Sequence, residues 1–233
     1  MYRTPNILSF DFEVSQADQD ELIQAWLPEI EQAALTHVAD DRMTAFFIAA
    51  LRIGSKTKSM RGLSLMKVAE KAGYSRSTFF RIFESNTHFL LKSYKLACLL
   101  STRVYADYLN RKEMDFDEFC KFTTDVFYGA NCTVPHDILK MLWKENESSH
   151  IQFHPHVSEI APLIGDYLKQ NHKIEITALD VKELDGVLKS LDLVILNARL
   201  EDDPLWGTPY YYRKLKNMLS GYLSTCIRNS GPI

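Results

Sequence analysis

The chain is short of the residues that interrupt helices: nine glycines and eight prolines among 233 residues. That is too few for a fold assembled from many short strands and tight turns. Its four cysteines, Cys98, Cys120, Cys132 and Cys226, stand far apart and form no Cys-x-x-Cys pair. Neither a zinc site nor a redox pair is signalled, and the chain reads as a protein of a reducing compartment. No apolar run approaches the roughly 18 residues of a membrane span. The first residues lack the basic start, apolar stretch and small-residue cleavage site of a secretion signal. A soluble, cytoplasmic protein with no membrane partner is expected. A Gly-rich phosphate loop, a Gly-x-Ser-x-Gly elbow and a His-Glu-x-x-His helix are also missing. The chain is therefore expected to be no enzyme and to carry no cofactor.

What the chain does have is a sharply uneven charge. The net charge is −3, yet residues 1–40 carry one basic against eight acidic side chains, and residues 52–95 carry ten against two. A −7 segment thus precedes a +8 segment. The second would attract a polyanion, whatever the whole chain does. The bland alternative is a solvated basic face.

Inside the basic segment, the residues from Leu63 to Phe83 read as helix, tight turn, helix. Leu65, Val68, Ala69 and Ala72 fall three and four apart, on one helical face. Ser64 is placed to cap it. Gly73 suits a left-handed turn after it. Ser75 is placed to cap a second helix, with Phe79, Phe80 and Phe83 as apolar positions. This is the pattern of a helix-turn-helix, whose second helix enters the DNA major groove. Met43, Phe46, Phe47, Ala50, Leu51 and Ile53 mark a helix packed behind it, capped by Asp40 or Asp41 and ended by Gly54.

The run Val68-Ala69-x-x-Ala72-Gly73-x-Ser75-x-x-Thr78-x-Phe80-Arg81-x-Phe83-x-Ser85 resembles the DNA-binding domain of TetR-type transcriptional regulators, in detail over residues 42–95. The resemblance implies an all-α fold. Residues 41–88 would be a three-helix DNA-binding domain, and residues 89–233 a helical ligand-binding and dimerisation domain. Residues 1–40 are an acidic helical extension with one or two helices, broken or restarted at Pro28. The function implied is a sequence-specific regulator, most often a repressor. It would bind a palindromic double-stranded DNA operator as a homodimer and be released by a small effector. The alternative is the same scaffold acting without a small ligand, to organise DNA or bind another protein.

A recognition helix needs polar groups at its leading end. Arg76 is the best candidate for a base contact, because its planar fork matches the two acceptors of guanine. Ser77 and Thr78 can reach bases or phosphates, and Ser64 can grip phosphate. Lys67 and Arg81, with Lys56, Lys58 and Arg61 of the basic loop, are further phosphate candidates. Arg81 can equally pair within the protein. The chain departs from the family pattern where Phe80 replaces the usual Tyr, Ile82 a common His, and Glu84 and Asn86 the usual Pro and Lys. Part of the phosphate grip is thereby expected to move to the basic loop.

Beyond Ser85, helical patterns run to about Leu109 and then over 116–129, 136–147, 156–171, 178–200 and 207–228. Phe119, Phe122, Phe127, Trp143 and Tyr167 would line a pocket for an apolar or aromatic effector, or simply fill a core. Leu184, Leu188, Leu191 and Ile195, with Leu215, Leu219 and Tyr222, form two wide stripes. The resemblance makes them a four-helix dimer interface; intramolecular core is the alternative, and both stripes are wide enough to serve core and interface together. Glu147, His150, His154 and His156 lie together, but Pro155 splits them and no metal-ligand spacing is met, so no metal is expected.

Overall fold

A computed structural model describes residues 16–57, 64–132 and 157–229, together with 139, 140 and 144. Among the described residues the chain is all-α, with nine helices and no strand. They are α1 Gln16–His37, α2 Asp41–Thr57, α3 Leu65–Lys71, α4 Arg76–Ile82 and α5 Asn86–Arg111. After them come α6 Phe116–Cys132, α7 Val157–His172, α8 Ala178–Leu200 and α9 Pro209–Asn229. Residues 139, 140 and 144 are also helical, within the expected 136–147 pattern. No helix among the described residues is long and apolar enough to cross a membrane.

The chain divides into two compact units. Among the described residues, one takes 23–57 and 64–104, with 132, 139, 140 and 144; the other takes 16–22, 105–131 and 157–229. In the first unit, α1 is not a separate appendage. Ile30 and Ala34 on α1 bury against Phe47 on α2 and Leu100 on α5. Glu31 of α1 receives both Nε and Nη2 of Arg52 on α2, at 2.7 and 2.6 Å. So this part of α1 packs on α2 and α5, in a cluster distinct from the one that holds α3 and α4.

Two expected breaks do not occur. Pro28 lies inside α1, which continues through it. An interior proline costs about 3 kcal/mol, and the burial of Ile30 and Ala34 beyond it opposes that cost. Likewise α2 runs past Gly54 to Thr57. A helical glycine costs only about 1 kcal/mol, and Ile53 beside it packs on the core. Asp40 makes the expected cap, accepting from the N–H groups of Arg42 and Met43 at 2.9 and 3.2 Å.

In the second unit α8 packs on both α7 and α9. Thr177 and Asp180 close a capping box at the start of α8. Gly165 marks the close approach in this unit: a Cβ there would stand 3.3 Å from Val181 Cγ2 and 3.4 Å from Ile176 Cγ2. Phe119 stacks on Tyr167 at 4.8 Å, and Phe122 on Tyr108 at 4.4 Å. The expected pocket residues Phe119, Phe122 and Tyr167 are thus buried in stacked pairs. Phe127 borders a void of only about 10 Å³, with Thr124, Leu191, Ile195, Leu215 and Leu219. Trp143 lies outside the described residues.

The stripes expected at a dimer interface contribute to the chain's own core. Leu184, Leu188, Leu191, Ile195, Leu215 and Leu219 are all buried within the single chain. Tyr222 is half-buried. The periodicity identified faces that must be covered; covering comes from neighbouring helices of the same molecule.

Candidate nucleic-acid interface

The pair α3 and α4 is held by aromatic rings. Phe79 is fully buried and meets Phe46, Phe83 and Phe89 at centroid distances of 5.2, 4.9 and 5.0 Å. Val68 and Ala69 of α3 join the same cluster. Four buried rings fix α4 against α2 and the start of α5, and aromatic pairs add about 0.5–1.5 kcal/mol each beyond area burial.

The turn is set by backbone hydrogen bonds. Gly73 adopts φ +77°. Its N–H donates to Glu70 O at 3.0 Å, and Tyr74 N–H donates to Ala69 O at 2.9 Å. This double closure satisfies the last carbonyls of α3 and needs a left-handed residue at its centre. Ser75 then caps α4, its Oγ accepting from Thr78 N–H at 3.2 Å. At the start of α3 the expected side-chain cap does not form. Ser64 sits at the cap position, but its hydroxyl takes no N–H of α3.

This packing leaves one polar surface on α3 and α4. Ser64, Lys67, Arg76, Ser77, Phe80 and Arg81 are exposed, and Thr78 is half-buried. Lys56 is exposed at the end of α2. Lys58 and Arg61 lie outside the described residues. The hydroxyls form a small cluster: Ser75 Oγ lies 2.8 Å from Ser77 Oγ and 3.0 Å from Thr78 Oγ1.

Two features escape the sequence reading. The Arg76 guanidinium carbon sits 5.3 Å from the centroid of the Phe80 ring, one turn further along α4. Phe80 itself is 40% exposed. The spacing of four was a usable signal, since such pairs face each other on a helix. The other is the Glu31–Arg52 pair, which ties one of the ten cations of the basic segment to the acidic extension. Nothing local marks a pair 21 residues apart.

Beside this surface lies an open groove of about 470 Å³. Leu35 and Val38 of α1, Ala45 and Ile48 of α2, and Lys71 at the end of α3 are among its walls. The size lies within the range of small-molecule sites. The expected histidine cluster with Glu147 lies outside the described residues. Comparison of the chain with protein-family models, with curated proteins and with solved structures finds no match.

Proposed function

We propose that the chain is a sequence-specific DNA-binding transcriptional regulator of the TetR type, acting as a homodimer on a palindromic operator. One observation carries the reading. The buried rings and the left-handed Gly73 present α4 as a rigid helix whose outer side bears Arg76, Ser77 and Arg81 in a strongly basic segment. A helix of this shape fits the major groove, with Arg76 at base edges. Lys56, Lys67, Ser64 and the basic loop supply phosphate contacts, which carry affinity but no sequence information.

The dimer uses the outer faces of α8 and α9, because their inner faces are occupied. Gly186, Ser190 and Leu193 on α8 are exposed, as are Tyr210, Met218 and Gly221 on α9. A Cβ added at Gly186 or Gly221 would meet nothing within 4 Å. Packing within the chain therefore does not require these helix glycines, whereas close approach of a second chain would use them. A small apolar effector remains part of the reading.

The test compares binding to a sequence enriched from random DNA with binding to unenriched duplex. Arg76→Ala should weaken the first by at least tenfold and leave the second nearly unchanged, since a good base contact is worth about 1–3 kcal/mol. Lys56→Ala should weaken both and flatten the salt dependence. Equal losses for Arg76→Ala on both DNAs would remove its base-reading role.

A further inference from the structure

We propose that Asp125 and Tyr212 form a proton-operated latch between α6 and α9, so that the second unit responds to pH. Asp125 is fully buried. Its Oδ1 accepts the Tyr212 hydroxyl, 87 residues away in sequence, at 2.5 Å. Its Oδ2 is buried too and has no hydrogen-bond partner among the described residues. A carboxylate wants partners on both oxygens; half-satisfied in a core, it is far better accommodated as the neutral acid.

The nearby cations lower the Asp125 carboxyl less than burial raises it. Two lysines act on Asp125, Lys121 from α6 and Lys216 from α9. Lys216 Nζ is already engaged by Asp117 of α6, at 2.9 Å to one oxygen and 3.0 Å to the other. Lys121 lies one turn back on α6, half-buried. From α8 the same junction receives Leu191 and Ile195, which border the small void with Thr124 and Leu215. Asp192, next to Leu191 in sequence, is a buried acid with interactions of its own.

Burial raises the Asp125 carboxyl to about 7, against the lowering pull of Tyr212, Lys121 and Lys216. The folded value lies above the unfolded one. The stabilisation is therefore complete in acid and is lost as pH rises toward 7, where the carboxyl ionises. Ionisation then favours states that wet the α6–α9 seam or draw Lys216 away from Asp117. No other residue needs to titrate for the seam to loosen. On the proposed function, DNA affinity would change with the same midpoint, but the latch stands independently of DNA binding.

The experiment is a carboxyl carbon NMR titration of Asp125 in the full chain, with melting curves of Asp125→Asn across pH 5–8. The expected midpoint is near 7. Asp125→Asn should melt several degrees higher than the native chain at pH 8, with the gap closing toward pH 5. Hydrogen exchange in α6 and α9, corrected for intrinsic rates, should accelerate from pH 6 to pH 8 in the native chain and not in the variant. A carboxyl midpoint below 5 would overturn the latch, and that result needs no variant to fold. A variant less stable than the native chain at pH 8 would also overturn it, since the charged form would then be the one the fold stabilises.

Discussion

Replacing Gly73 by alanine isolates the backbone conformation that turns the chain between α3 and α4. A Cβ added at Gly73 meets no atom within 4 Å, so no clash accompanies the substitution. What remains is the left-handed conformation at φ +77°. That geometry costs an L-residue about 1–2 kcal/mol, and the loss of glycine's freedom in the unfolded chain returns about 0.4–1 kcal/mol. The expected net loss is about 1 kcal/mol, read by urea unfolding followed by circular dichroism. Gly186→Ala and Gly221→Ala are the controls. Both also have open space, but they lie inside helices. Alanine there should raise helix stability by about 1 kcal/mol. One chemical change should thus give opposite signs at two kinds of site. A gain at Gly73 equal to that at Gly186 and Gly221 would refute the left-handed turn, and a loss above about 3 kcal/mol would mean that a contact fills the space. A gain in stability at Gly186 or Gly221 accompanied by weaker self-association would place those residues at the two-fold contact.

Other outcomes follow from the packing. Ile30→Ala should destabilise the first unit by about 2–4 kcal/mol, because Ile30 packs with Phe47 and Leu100 and buried aliphatic truncations cost that much; differential scanning calorimetry would show it. Deleting residues 1–38 should likewise lower stability rather than tighten DNA binding, which separates a structural role from masking of the basic face. Thr177→Ala should cost about 1 kcal/mol through the lost cap of α8, measured by urea unfolding. The Thr177 hydroxyl and N–H hold the Asp180 carboxyl below the usual range. The cap's contribution is therefore present at neutral pH and fades as pH falls through the lowered value, opposite in sign to Asp125. Burial pushes the Cys120 thiol up to about 12, so alkylation mapped by mass spectrometry should reach Cys120 only after unfolding.

Local signals made much of this fold legible. Gly73 and Ser75 act within a few residues of themselves, and the turn and the α4 cap form where the sequence puts them. The helices over 116–132, 157–172, 178–200 and 209–229 also lie close to their apolar periods. Less legible was how far a helix tolerates a breaker. Pro28 and Gly54 are poor helix residues, yet burial of Ile30 and Ala34 after the first and packing of Ile53 beside the second outweigh the local penalty. Least legible was partnership at a distance. The stripes on α8 and α9 announced apolar faces correctly but not who covers them. Asp125 looked like any polar residue of an amphipathic helix until α9 brought Tyr212 to it. The exposed face of α4 lay between these cases. Arg76 and Ser77 were readable as outward-facing, while the stacking of Arg76 on Phe80 required the helix itself.

The central claim is that this chain reads DNA sequence as a two-fold dimer. Selection of bound duplexes from a random pool, followed by sequencing and by the mass of the complex, tests it most directly. The expected result is an enriched inverted repeat, with half-sites about one helical turn apart or a multiple of it, bound by an even number of chains. A pool that enriches no sequence, or a single asymmetric site held by one chain, would contradict it.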